Sequence, residues 1–443
     1  MYEAKMTRRE ALATLGKAAI GAAMVPMLGQ LAYGKSEKRP NIVLILADDL
    51  GYGSLGCYGG TAPTPNLDAL TKQGVRLTQF YVSTPLCAPT RSSLMSGKYP
   101  QRTGMTRNVR PEDEEIHFGL PRSEKTLAEC LKAAGYHTGH VGKWHLGHNK
   151  DLRPCARGFD EYYGFLAGMV DDYYTHVFQG KKYSYKQDEP FDEPGYITDL
   201  FTREAVSFID RHAAEPFFLY LAYNAPHGPH QAPDEWMKRA KGDALNATIA
   251  CMDDGIGKVL QTLKEKGIED NTLFIFLSDN GSPQDVRNGG LRGSKGTVHE
   301  GGIRVPFIAR WPGHIPVGKV VDEPLISMDI YATVAAVTGV KPPKDLDGKN
   351  AAGVLAGKSN SPHKVLFWRY KELSAIRRGD WKLVRNADNP VQLYNLKSDP
   401  GEKNNLAVEN PEMVKELLHK HEEWLVKADA EGQAKQKASM TSP

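Results

Sequence analysis

A wound α/β sheet flanked by helices, followed by a smaller α+β subdomain, is the fold class this sequence predicts. Three observations point there. Four continuous apolar runs each end in a polar cluster, helical segments alternate with them, and the texture shifts to short strands near residue 362. Runs that are apolar throughout, not at every second position, fit strands buried on both faces. Strands alternating with helices imply crossover connections and a largely parallel sheet.

The elements follow in chain order. The first 34 residues read as an export signal: Lys5, Arg8 and Arg9 give a positive start, 11–31 is rich in Ala, Leu, Met and Gly, and Ala32-Tyr33-Gly34 is a small-x-small triplet. Thr7-Arg8-Arg9 resembles a twin-arginine signal, which predicts a periplasmic or secreted protein. The alternative is an uncleaved membrane anchor, disfavoured because the run is short and broken by Lys17. The main domain is expected over 39–361. Its strands are 41–47 (NIVLILA), 136–141, 216–223 (PFFLYLAY) and 272–278 (TLFIFLS). Its helices are 66–74 after Pro65, 123–135 with a Ser123 cap and a closing Gly, 199–212, and 243–267. A subdomain over 362–429 carries short antiparallel strands within 375–384 and 391–396, a turn at Ser398-Asp399-Pro400-Gly401, and a helix over 413–428. The polar tail 430–443 is expected to be mobile.

Composition narrows the function. Lys plus Arg is 56 and Asp plus Glu 53, a balance without the basic excess of a nucleic-acid binder. The five cysteines (57, 87, 130, 155, 251) form no CxxC pair, which argues against a disulfide framework and a zinc site. The stretch 352–359 (AGVLAGKS) approximates a phosphate-binding loop, but its first Gly is one residue late and no strand precedes it.

Ligands of wound sheets bind beyond the carboxyl ends of the strands. The four strands therefore deliver Asp48, Asp49, Lys143, His145, His227, Asp279 and Asn280 to one edge. Asp48, Asp49, Asp279 and Asn280 are hard oxygen ligands, suited to Ca²⁺ or Mg²⁺. Lys143, His145, His227 and Lys295, the last in a glycine-rich loop, add cationic or proton-donating groups. Singly, each histidine is more often structural; together with a metal they suit an anionic sulfuryl or phosphoryl group. Cys87 precedes Pro89, which favours the first turn of a helix over 90–96 ended by Gly97. A helix N-terminus favours anions, and Arg91 lies one turn on, facing the same site. Cys87 is then either a buried cysteine at a helix start or a low-pKa thiolate nucleophile. The polar loop 168–176 offers Asp171, Asp172 and His176 to sugar hydroxyls, or is simply solvated.

Cys87-Ala88-Pro89-Thr90-Arg91, with Ser92 to Gly97 and Gly104, resembles the signature of the type I sulfatases. So do Ala47-Asp48-Asp49-Leu50-Gly51-Tyr52-Gly53, Gly142-Lys143-Trp144-His145-Leu146-Gly147, Ser278-Asp279-Asn280-Gly281, Gly296-Thr297-Val298-His299-Glu300-Gly301-Gly302, and Leu393-Tyr394-Asn395-Leu396 with Asp399-Pro400-Gly401-Glu402. The resemblance spans 40–406 and is nearest to arylsulfatases and N-acetylgalactosamine-6-sulfatases. It implies an alkaline-phosphatase-like mixed sheet and a sulfuric ester hydrolase acting on a sulfated carbohydrate or aryl sulfate. It also implies that a maturation enzyme oxidises Cys87 to formylglycine (3-oxoalanine), whose hydrate attacks sulfur. The second hydroxyl then expels sulfate from the covalent ester, turning a difficult hydrolysis into an elimination. One Ca²⁺ would be held by Asp48, Asp49, Asp279, Asn280 and the modified Cys87. Arg91 would orient the nucleophile, Lys143 and Lys295 would bind sulfate oxygens, His145 would assist the elimination, and His227 would protonate the leaving alcohol, with His230 close by. A phosphonate monoester or phosphodiester hydrolase is the alternative enzyme, and an unmodified sulfated-glycan binder the alternative of another class.

Overall fold

The computed structural model describes residues 39–386 and 389–441; the expected export signal lies outside them. Ten strands form the main sheet: β1 (Asn41–Ala47), β2 (Val75–Leu77), β3 (His137–Lys143), β4 (Glu161–Phe165), β5 (Ser184–Lys186), β6 (Glu189–Pro190), β7 (Phe217–Ala222), β8 (Thr272–Ser278), β9 (Phe307–Arg310) and β10 (Lys319–Val321). Their order is β10-β2-β9-β8-β1-β7-β3-β4-β5-β6. The centre, β8-β1-β7-β3-β4, is parallel, β9 and β5 run antiparallel to it on either side, and β6 pairs antiparallel with β5.

Alternate side chains of β1 feed two cores, as a strand buried on both faces requires. Ile42, Leu44 and Leu46 join the core on one face, and Val43, Ile45 and Ala47 join the other. The second core is covered by α1 (Pro65–Gln73), α4 (Ile197–His212) and α5 (Ala244–Glu265). The first is covered by α2 (Cys87–Ser96), α3 (Leu127–Ala133) and α6 (Asp329–Thr338). Helix α3 starts later than the Ser123 cap predicts. Thr126 and Glu129 form a reciprocal cap instead: the Thr126 hydroxyl accepts the Glu129 N–H at 3.0 Å, and the Glu129 carboxylate accepts the Thr126 N–H at 2.6 Å.

The C-terminal sheet is antiparallel throughout, β11 (Leu366–Tyr370), β12 (Leu373–Arg378), β13 (Trp381–Asn386) and β14 (Asn389–Asn395) in sequence order. Ile376, Leu383 and Leu393 pack on Leu417 of the helix α7 (Pro411–Thr441). That helix continues through the segment expected to be a mobile tail. Three polar residues there are bonded to the main domain: Glu431 pairs with Arg102 at 2.8 Å, Lys435 with Glu124 at 2.5 Å, and Gln436 donates to the Gly119 carbonyl at 3.0 Å. A Cβ on Gly432 would sit 1.9 Å from the Gln101 carbonyl oxygen, so only glycine lets the helix approach this closely.

A buried ionic cluster joins the two sheets. Lys382 of β13 lies 2.9 Å from Glu300 and 3.0 Å from Glu402, all three fully buried. Arg304 and the Tyr81 hydroxyl complete the bonds of Glu300. The Gly296–Gly302 and Asp399–Glu402 motifs thus meet in this clamp, through Glu300 and Glu402.

Candidate active site

The strand ends of the parallel core converge as expected. Beyond β1, the Asp48 N–H bonds the Ala225 carbonyl, and beyond β8 the Asp279 N–H bonds the Ala47 carbonyl. Asp49 and His145 turn off their strands with φ of +66° and +62°, left-handed conformations that cost non-glycine residues roughly 1–3 kcal/mol and cluster at functional sites. The Asp49 N–H donates to Asp279 Oδ1 at 3.2 Å, locking one acid-bearing turn to the other.

Helix α2 brings Cys87 and Arg91 to the same place, with Gly97 at its end as expected. Arg91 is fully buried. It donates from Nε and Nη2 to Asp279 Oδ2 at 3.1 and 2.8 Å, and from Nη1 to the Lys143 carbonyl at 3.0 Å. Lys143, also buried, lies 2.6 Å from Asp48 Oδ2, and Lys295 lies 2.6 Å from Asp49 Oδ1. His227 Nε2 faces Asp49 Oδ2 at 3.5 Å, while its Nδ1–H donates to the Gly228 carbonyl at 2.8 Å. The structure therefore brings together Asp48, Asp49, Cys87, Arg91, Lys143, His145, His227, Asp279, Asn280 and Lys295.

The charges are out of balance in an informative way. Burial would raise Asp48, but Lys143, His227, Arg91 and Lys295 together hold it far below the usual carboxylate range. Burial pushes Asp279 up, with the Asp48 charge adding to it against the pull of Arg91. Two buried oxygens, Asp48 Oδ1 and Asn280 Oδ1, have no partner. Asn280 is held by donating to Asp49 Oδ1 at 2.7 Å and to the Gly281 carbonyl at 2.9 Å. One ligand atom each from Asp48, Asp49 and Cys87 lie within 4.8 Å of one another. Unpaired hard oxygens beside an acid that resists ionising fit a divalent cation of the Ca²⁺ or Mg²⁺ kind.

Cys87 is not a ready thiolate. Burial pushes its thiol up to about 12, with Lys143 and Lys295 only partly opposing. A reactive thiolate needs a depressed value and some access, and Cys87 is 1% exposed. His145 is buried and, with Lys143 and Arg91 nearby, held well below the usual histidine value, so it is neutral at pH 7. The Val109 carbonyl accepts from its Nε2–H at 3.1 Å, which leaves Nδ1 bare, and that atom has no partner.

Cys87, His145, His227 and Lys295 open onto a cleft of roughly 560 Å³ that Arg107, Arg110, Gly168, Tyr370 and Lys371 also line. His230 is not among its lining residues. Nor are Asp171, Asp172 and His176, whose polar atoms hold the loop together: Asp171 accepts the Gln179 N–H, Asp172 accepts from Tyr174, Thr175 and Gln231, and His176 donates to the Gly195 carbonyl at 2.9 Å. Sequence reasoning missed Asn108, which accepts the Ala88 N–H at 3.2 Å, and the cationic rim of Arg107, Arg110 and Lys371.

Comparison with known proteins gives a consistent picture. Residues 40–340 match the family model described as Sulfatase, and 294–430 match that described as N-sulphoglucosamine sulphohydrolase, C-terminal. The chain is similar to rat N-acetylgalactosamine-6-sulfatase, 36% identical over 382 residues covering 80% of this chain and 73% of the relative. It is similar to human arylsulfatase A, 34% identical over 456 residues covering 88% of this chain and 89% of the relative. Among solved structures, Ps i-CgsB in complex with k-i-k-neocarrahexaose superposes with a TM-score of 0.83 at 34% identity, over 91% of this chain and 98% of that one. The PsFucS1 sulfatase from Pseudoalteromonas sp. follows at 0.77 and 27% identity, over 90% and 91%.

Proposed function

The chain belongs to the sulfatase family and hydrolyses sulfate esters, and from that premise we propose that it releases sulfate from a sulfated carbohydrate by means of formylglycine made from Cys87 and one Ca²⁺. The observation that carries this reading is the pair of unpartnered oxygens, Asp48 Oδ1 and Asn280 Oδ1, in the cluster that also holds Cys87. A thiol is a soft, poor ligand for a hard cation, whereas an oxygen at the same position suits it. A thiol held near 12 is equally poor as a nucleophile. Oxidation by a maturation enzyme, which supplies the oxidant, removes both difficulties.

Formylglycine at position 87 would supply a hydrated aldehyde in place of the thiol, that is, a hydroxyl nucleophile and a second hydroxyl able to re-form the aldehyde. Asp48, Asp49, Asp279, Asn280 and the converted Cys87 would hold the Ca²⁺, which would supply positive charge beside the nucleophile and the sulfate group. The chain's own groups do the rest. Arg91 fixes Asp279 and the turn that carries Lys143. Lys295, which lines the cleft, and Lys143, buried against Asp48, supply the positive charge that binds sulfate oxygens as charge develops. His145 takes the second proton at its bare Nδ1. His227 presents Nε2 at the mouth and gives a proton to the leaving alcohol, a role its neighbour Lys295 supports. The positive start and Thr7-Arg8-Arg9 favour export before action, in the periplasm or outside the cell. The sugar-bound Ps i-CgsB structure and the N-acetylgalactosamine-6-sulfatase relatives support carbohydrate over small aryl substrates.

Mass spectrometry of the Cys87 peptide, after coexpression with a maturation enzyme, is expected to show an aldehyde. Cys87→Ala should abolish turnover and keep the melting temperature. Chelation should lower the melting temperature, and Ca²⁺ should restore it. An unmodified thiol in an active enzyme would overturn the proposal, as would faster turnover of a nitrophenyl phosphonate than of nitrophenyl sulfate.

A further inference from the structure

Beside the catalytic cleft lies a second one of roughly 410 Å³, and the two share the lining residues Thr106, Arg107, Tyr370 and Lys371. Its far wall is Gln101, Arg369 and the C-terminal helix, through Asp429, Gln433 and Gln436. Three features of that wall select a ligand. First, its ionic groups are Arg107, Arg369 and Lys371 against a single carboxylate, Asp429, which pairs with Arg369. Arg107 is fixed between the clefts by two bonds to Asp113, at 2.6 and 2.8 Å, and by the Phe118 ring 3.8 Å beneath it.

Second, Gln101 and Gln436 are 2% and 8% exposed, and the Oε1 of each has no partner. Their orientations are set from the other side: Gln101 Nε2 donates to the Arg369 carbonyl and Gln436 Nε2 to the Gly119 carbonyl, both at 3.0 Å. Both oxygens are almost fully covered, so they lie behind the surface of the wall, and a hydroxyl donor meets them only where a ligand seats deeply. Third, the Tyr370 ring stands at the junction, half-buried, with the Lys371 ammonium over it 5.3 Å from the ring centre, so that the aromatic face and the cation form one surface. Hydroxyl acceptors, cations and an aromatic face together match a sugar that carries anionic groups.

We propose that the second cleft is a subsite for a neighbouring unit of a sulfated oligosaccharide, so that the enzyme desulfates a sugar within a chain in preference to a free monosaccharide. This rests on the carbohydrate sulfatase reading of the first cleft and adds where the rest of the substrate lies. Binding energy from the remote unit is expressed at the scissile ester, so chain length should raise kcat/KM.

The test uses the full-length, matured enzyme with three probes: nitrophenyl sulfate, and the disaccharide and hexasaccharide of one sulfated galactan. Wild type is expected to prefer the hexasaccharide over the disaccharide in kcat/KM by about tenfold or more. Gln433→Glu and Gln433→Trp, on the exposed face of α7 that lines only the second cleft, should each cut that preference about tenfold, the first by charge and the second by bulk. Nitrophenyl sulfate turnover, measured on the same samples, normalises for folding and maturation. Equal turnover of both oligosaccharides by wild type, or a preference that both variants keep, overturns the subsite while leaving the carbohydrate reading intact. Turnover of nitrophenyl sulfate alone would remove that reading and the subsite with it.

Discussion

At the scale of single residues, the site works by pinning each group from behind. The Val109 carbonyl sets the His145 tautomer, and Gly168 leaves room for the ring: a Cβ there would lie 2.7 Å from His145 Nε2. Gly168→Ala should therefore shift the imidazole and lower kcat by roughly tenfold to a hundredfold, with little change in thermal stability. A kcat equal to wild type would show that His145 is not poised as described. This also marks what the sequence could disclose. Asp48, Asp49, Asp279 and Asn280 were legible because each follows an apolar run, and a strand end is a predictable place. Val109 was not, since a backbone carbonyl reaching across 36 residues has no side-chain signal. Asp171, Asp172 and His176 were legible as polar, but whether they face a ligand or their own loop depends on backbone turns.

At the scale of elements, β3 carries a histidine inside the core. His140 stacks between Tyr162 and Tyr220, donates Nδ1–H to the Tyr220 carbonyl at 3.1 Å, and burial pushes it down to about 3. The folded value lies below the unfolded one, so the unfolded chain takes up the proton first. Above about pH 6.5 the group is neutral in both states. As pH falls from there toward 3, stability is lost at about 1.4 kcal/mol per pH unit for this one group. His140→Phe keeps the ring stack and should flatten the acid limb of a denaturation-versus-pH curve by that slope; an unchanged limb would refute the assignment. Such interior strands were legible because both faces are apolar. The edge strands β5 and β6 were not, being short, polar and mostly exposed. The α3 start was misplaced because Ser123 and Thr126 are equivalent as caps until Glu129 selects one.

At the scale of the molecule, the Glu300–Lys382–Glu402 cluster ties the C-terminal sheet to the catalytic domain. Lys382→Met leaves two buried carboxylates without their shared cation, which should cost about 3–5 kcal/mol of unfolding free energy. Adding Glu402→Gln should recover part of it, and chemical denaturation of the single and double variants would measure both. The clamp was invisible from the sequence, where Glu300 and Glu402 sit in motifs that read as functional. The end of α7 was misjudged for a related reason. Its polar residues suggest solvent, yet their partners are ion pairs and carbonyls of the main domain.

That docking of α7 has a consequence in time. The thiol of Cys87 is 1% exposed where it meets the catalytic cleft, and Gln101 and Gly104, just downstream of its helix, pack against Gly432. Roughly 340 residues separate the two segments, about 20–70 s of synthesis at about 5–20 residues per second. Throughout that interval the part of the chain around Cys87 lacks its last packing partner. Chemistry that must reach the thiol before the fold is complete therefore has at least that interval.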